Sequence, residues 1–110
     1  MTRRVVITGM GTVSPLGLNV KDTWDSCING RSGVGRITLF DTNGWLVQIG
    51  AELKGFDPAN YMDAKEARRR DRFEQMAVAA AKEALADSGL TITEANAGRI
   101  GVFVASAVGG

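Results

Sequence analysis

Five cations crowd the eight residues from Lys65 to Arg72, with Glu66 and Asp71 the only acids among them. Lys65, Arg68, Arg69 and Arg72 recur at i, i+3, i+4 and i+7, a spacing that puts them on one side of a helix, while Arg70 points elsewhere. Positive charge in the opening turns of a helix opposes the macrodipole, at a cost of roughly 0.3–1 kcal/mol for each well-placed charge. Two readings account for a cluster kept despite that cost. One is a solvated face, neutralised locally by Glu66 and Asp71. The other is a dock for an acidic surface or a phosphate-bearing group, where grouped cations speed encounter and fix orientation. Nucleic acid fits less well: no aromatics interleave the charges apart from Phe73 on the apolar side, and the net charge of the chain is only +1.

The second candidate lies near the N-terminus. Val5-Val6-Ile7-Thr8 reads as a buried strand running into Gly9-Met10-Gly11, as at the start of a dinucleotide-binding unit. The next glycine of that fingerprint is missing. Ser14 takes its place, and Pro15 follows, with no N–H and a restricted predecessor, so a smooth helix entry is disfavoured. Nor does a carboxylate close a second strand about 20 residues on, where a ribose would be held. The glycines therefore read as a turn that the core needs, and no cofactor is expected.

Nucleophilic and metal chemistry are limited by composition. The chain has no histidine and one cysteine, Cys27, so no Cys–His or Ser–His–Asp constellation can be built from these residues and a zinc site is nearly excluded. No catalytic residue and no metal ligand is expected here. The lone cysteine also rules out an internal disulfide and suits a reducing compartment. The N-terminal apolar run is too short for a signal sequence or a membrane span, so a cytoplasmic protein with no membrane partner is expected.

These residues need elements to hold them. At 110 residues and 45% apolar content, the chain has the material for one domain at most. Asn19 with Asp22 opens a helix whose Val20, Trp24, Cys27 and Ile28 form an apolar stripe, which makes Cys27 a small buried hydrophobe by default; Gly30 stops it. Residues 31–44 read as loop and turn, and Leu46 to Leu53 as a second strand with Gly50 as a bulge or a close backbone contact. A capping box at Asp63 and Glu66 opens a long helix. Along it Phe73, Met76, Ala77, Ala80, Ala81, Ala84 and Leu85 make one apolar, mostly small face, and Ser88-Gly89 ends it. A polar stretch from Thr91 to Gly98 leads to a third, nearly continuous apolar strand, Arg99 to Ser106. The alternation predicts an α/β fold. Two helices hardly cover both faces of such a sheet, so exposed apolar surface is expected on these residues in isolation.

Taken in order, the motifs resemble the N-terminal part of a β-ketoacyl-acyl carrier protein synthase, the type II condensing enzyme of bacterial fatty acid synthesis. The residues that carry the resemblance begin with Arg3-Arg4-Val5-Val6-Ile7-Thr8-Gly9-Met10-Gly11 and Ser14-Pro15-Leu16-Gly17. They continue through Gly30-Arg31-Ser32-Gly33, Phe40-Asp41, Phe56-Asp57-Pro58 and Asp71-Arg72-Phe73. Ala79-Ala80-Ala81-Lys82-Glu83-Ala84-Leu85, Asp87-Ser88-Gly89-Leu90 and Ser106-Ala107-Val108-Gly109-Gly110 complete it. Asn43-Gly44-Trp45-Leu46, Gly50-Ala51 and Met76 depart from the family pattern.

The resemblance implies a thiolase-like layered fold, with residues 1–110 forming the N-terminal part of its first half, usually in a homodimer. It implies decarboxylative condensation with malonyl carrier, by a cysteine and two histidines that lie beyond residue 110. Cys27 does not match the nucleophile's motif. Lys65, Arg68 and Arg69, with Arg72 beside them, match basic positions that face an acidic acyl carrier protein, and Val108 matches a position near the acyl-chain pocket. Two other readings share this opening: a ketosynthase or chain-length subunit of an aromatic polyketide system, and a non-catalytic interaction module that pairs with a partner.

Overall fold

In the computed structural model, which describes residues 2–110, the chain groups into two compact units: Thr12–Asp57, and the residues up to Gly11 together with Pro58–Gly110. Within Thr12–Asp57, helix α1 (Val20–Ile28) starts where the Asn19 side chain accepts the Asp22 N–H at 2.8 Å. Ser14 and Gly17 close a tight turn with reciprocal backbone bonds of 2.8 and 3.1 Å. Helix α1 meets that turn through hydroxyls. Ser26 Oγ donates to the Leu16 carbonyl at 2.8 Å, and Thr23 Oγ1 lies 2.9 Å from Ser14 Oγ and 3.2 Å from the Gly17 carbonyl.

This polar packing reverses the expected orientation of α1. Ser26 is the buried residue, whereas Trp24, Cys27 and Ile28 are exposed, because the turn's carbonyls need donors that only the hydroxyl side of the helix supplies. Cys27 is thus a surface thiol and not a core residue.

The strand expected from Leu46 to Leu53 is shorter, and its partner comes from the segment read as loop. Strands β1 (Val34–Arg36) and β2 (Ile49–Ala51) pair antiparallel, with Val34 opposite Ala51, Gly35 opposite Gly50 and Arg36 opposite Ile49. Gly50 is neither the bulge nor the close backbone contact expected: it pairs in register with Gly35, and a Cβ there would meet the Ile37 side chain, 3.2 Å away at Cγ1. Beyond the pair, the Glu52 carboxylate gathers Thr38 N–H and Oγ1, both at 2.9 Å, and Leu39 N–H at 3.0 Å. Those donors, with the Thr38 amide first, hold its pKa below the ordinary 4.5. The loop that follows carries Phe40 and Trp45 edge to face, 6.3 Å apart, and a buried Thr42.

In the other unit, a 3₁₀ turn (Pro58–Asn60) precedes helices α2 (Ala64–Arg69), α3 (Arg72–Ser88) and α4 (Glu94–Ala97). The expected single long helix is broken in two. Arg70 is extended at φ −109°, ψ 138°, and Asp71 starts α3 with its own capping box, its N–H donating to Glu74 Oε2 at 2.9 Å. A second cap inside an amphipathic run offers the backbone a fresh start, and the break follows. The far end matches expectation, since Gly89 terminates α3 at φ +65°. Helix α4 lies in the stretch read as a polar connector, capped by Thr93, whose N–H donates to Asn96 Oδ1 at 2.7 Å.

The Gly9-Met10-Gly11 segment lies on the small face of α3. A Cβ on Gly9 would come within 2.6 Å of the Ser88 nitrogen, and one on Gly11 would collide with the Ala80 carbonyl. Met10 N–H donates to Asp87 at 2.9 Å, and Ala79, 2% exposed, is the most buried apolar residue of α3. The glycines serve packing, as the failed fingerprint suggested.

The two flanking apolar runs are not strands. Val5 is 94% exposed and Phe103 97% exposed, and no described residue forms a ladder with either run. Their sequences satisfy the side-chain pattern of a buried strand, but a strand also needs a neighbour for its N–H and C=O groups. The result is a broad exposed apolar surface around Val5–Ile7 and Val102–Val104. Among the described residues no helix is long and apolar enough to cross a membrane.

Candidate functional site

The basic segment is organised by what its two acids do. Helix α2 begins at Asp63, whose carboxylate accepts Lys65 N–H at 2.9 Å and Glu66 N–H at 2.8 Å. Glu66 does not reach back to close the expected box. It pairs instead with Arg70 at 2.8 Å, and that hydrogen bond raises the guanidinium pKa above its ordinary value. Asp71 is occupied as the cap of α3.

Glu66 therefore neutralises Arg70 and not the cations of α2 itself. Lys65, Arg68 and Arg69 are exposed on α2 and take part in no ion pair with a described residue. Arg68 Nε donates to the Ala64 carbonyl at 3.1 Å, one turn back along the helix, and the residue stays exposed. Three cations at i, i+3 and i+4 make a short, solvent-facing basic ridge, suited to several weak contacts with a negatively charged partner. Arg72, expected on the same face, is not on that helix: it is the first residue of α3, beyond the break.

Gln75 carries no charge and escapes the cation pattern, yet it ties the two helices together. Its side-chain Nε2 donates to the Ala67 carbonyl at 2.8 Å and to the Arg70 carbonyl at 3.2 Å. A sequence signal existed: Gln75 is a polar residue set between Phe73 and Met76, beside the apolar spacing of α3.

Val108 is 97% exposed. Its neighbours are anchored, however. Gly109, at φ +85°, donates its N–H to Ser106 Oγ at 3.0 Å, and a Cβ on it would stand 3.9 Å from Phe73 Cε1. A Cβ on Gly110 would stand 2.6 Å from Asp71 Cβ. The turn that carries Val108 is thus seated on the first turn of α3, next to the break that follows the basic ridge.

Comparison with known proteins places the chain in a family. Residues 2–110 match the sequence family described as β-ketoacyl synthase, N-terminal domain. The 3-oxoacyl-[acyl-carrier-protein] synthase 2 of Staphylococcus aureus (strain COL) is 49% identical over 108 residues, which cover 98% of this chain and 26% of that protein. The protein of the same name from Coxiella burnetii (strain RSA 493 / Nine Mile phase I) is 51% identical over the same coverage. Among solved structures, the ishigamide ketosynthase/chain length factor superposes with a TM-score of 0.76 at 38% identity, covering 83% of this chain and 23% of that one. The chain thus spans 26% of the length of these synthases. On a match that runs from residue 2 to residue 110, this chain belongs to the β-ketoacyl synthase family, within its N-terminal domain.

Proposed function

We propose that these residues are the N-terminal part of the first thiolase-like half of a 3-oxoacyl-acyl carrier protein synthase that elongates acyl chains in fatty acid biosynthesis. The observation that carries the reading is the identity of 49–51% to two such synthases across 98% of the chain. The reaction would proceed in two stages. An enzyme thiolate takes the acyl group from its carrier; malonyl carrier then loses carbon dioxide, and its carbanion attacks the acyl carbonyl and expels the thiolate.

None of these 110 residues supplies that machinery. With no histidine present, and Cys27 a surface thiol at the end of α1, the nucleophile and the histidines belong to the length of the synthase that this chain does not span. The chain's own contribution is recognition. Lys65, Arg68 and Arg69, with Arg72 at their edge, receive the acidic carrier protein. Val108 forms part of the acyl-pocket wall, where its branched side chain limits chain length once other segments cover it. The exposed apolar runs around Val5–Ile7 and Val102–Val104 would become strands of a sheet once those segments supply their neighbours. A homodimeric, cytoplasmic enzyme completes the proposal.

The 0.76 superposition on a ketosynthase/chain length factor supports a second reading, a polyketide-type subunit, at lower identity. The residue at the nucleophile position of the complete protein, a cysteine in a synthase and absent in a chain-length subunit, separates the synthase from a chain-length subunit, and assay with acyl carrier and malonyl carrier tests condensation. Carbon dioxide release with a 3-oxoacyl carrier product is expected, and failure to condense overturns the synthase reading.

A further inference from the structure

We infer that Gln75 is a positioning residue for carrier docking: its side-chain amide fixes the angle of helix α2, and with it the aim of Lys65, Arg68 and Arg69. The inference rests on the docking role proposed above.

Helix α2 has six residues, too few to stand alone in water, so its orientation depends on what holds its ends. Asp63 satisfies N–H groups at the start. At the other end the last carbonyls of a helix lack partners, and here the chain leaves the helix through an extended Arg70, not through a glycine that would close the turn on itself. The Ala67 carbonyl receives only a long bond from the Arg70 N–H, 3.4 Å, and Gln75 adds the shorter one. An amide NH2 has two hydrogens, and both are used, one on Ala67 at the end of α2 and one on Arg70 in the break. The donor sits in the first turn of the 17-residue α3, whose seat under Gly9 and Gly11 gives it a fixed base.

The consequence is specific to the ridge. Arg70 is turned back onto Glu66 and Arg72 belongs to α3, so the cations whose direction depends on α2 are Lys65, Arg68 and Arg69. Loss of the Gln75 bonds would leave α3 standing and free α2 to swing, spreading the ridge over many orientations. That penalty falls on binding of a large acidic partner and spares a small substrate that never touches α2.

Gln75→Met in the complete synthase tests this, since methionine keeps the length and removes both donors. The Michaelis constant for the carrier-borne acyl substrate should rise about 3- to 10-fold, the size expected for one or two side-chain hydrogen bonds, with kcat unchanged. The constant for the same acyl group on carrier-free pantetheine should not move. When Lys65, Arg68 and Arg69 are all alanine, Gln75→Met should add nothing. An equal rise with both substrates, no rise with either, or an additive effect without the cations overturns the positioning role. If the methionine variant does not fold, Gln75→Glu, which also cannot donate, is held to the same outcomes. Should the triple alanine variant itself bind carrier normally, the docking reading fails; should it bind poorly while Gln75→Met is silent, only the present inference fails.

Discussion

Gly11 rests on the Ala80 carbonyl with no space between them for a methyl group. That contact explains the glycine pair without a nucleotide: the segment must approach the backbone of α3 closely, and alanines on one side with glycines on the other permit it.

Gly11→Ala should therefore force α3 and the N-terminal segment apart. Overpacking of this kind costs about 1–3 kcal/mol. Thermal unfolding of the complete synthase should show a lower Tm for Gly11→Ala, whereas Gly98→Ala, with open space around its Cβ, should leave it nearly unchanged. Equal stability of the two variants would contradict the packing role.

Gly89 ends α3 in the left-handed region at φ +65° with nothing crowding its Cβ position. Conformation alone decides the cost of replacing it. Gly89→Ala should destabilise by about 1–2 kcal/mol, and Gly89→Asn by less, because asparagine tolerates that region. Calorimetry on both variants checks the order.

Glu52 predicts a pH response confined to acid. Its folded pKa lies below the unfolded value because Thr38 and Leu39 donate to the carboxylate. Its contribution is thus complete above the ordinary glutamate range and lost as pH falls through the depressed value. Protection of the Thr38 and Leu39 amides in hydrogen exchange should hold from pH 8 to 5, in the sense of about constant protection factors, and fall only below the ordinary 4.5. Glu52→Gln should remove the acid-dependent step.

The 110-residue chain alone should catalyse no condensation, having neither histidine nor a matching nucleophile. Turnover by this chain, measured as carbon dioxide release from malonyl carrier, would show that catalytic groups had been overlooked.

Local signals were legible in the sequence and non-local ones were not. Asn19 as a cap and Gly89 as a stop depend only on neighbouring backbone, and both are where their residue types put them. Asp71 can serve in the sequence as a charge partner or as a cap, because an amphipathic run hides a second cap; the turn at Arg70 reveals the cap. The apolar runs at Val5 and Phe103 show the right pattern for strands, but pairing requires residues distant in sequence. Trp24 and Ile28 mark an apolar stripe on α1, yet the carbonyls of the Ser14–Gly17 turn decide which side of the helix faces inward. At the candidate site the cations were evident, while their separation by the break and the tie through Gln75 depend on geometry that spacing alone does not encode.

The most direct measurement is the Michaelis constant of the complete synthase for acyl carrier protein, with Lys65, Arg68 and Arg69 all replaced by glutamate, across ionic strength. The account predicts a rise of roughly tenfold at low salt, shrinking as the Debye length falls from about 10 Å at 0.1 M to 3 Å at 1 M. An unchanged constant at low salt, or a rise indifferent to salt, would contradict it.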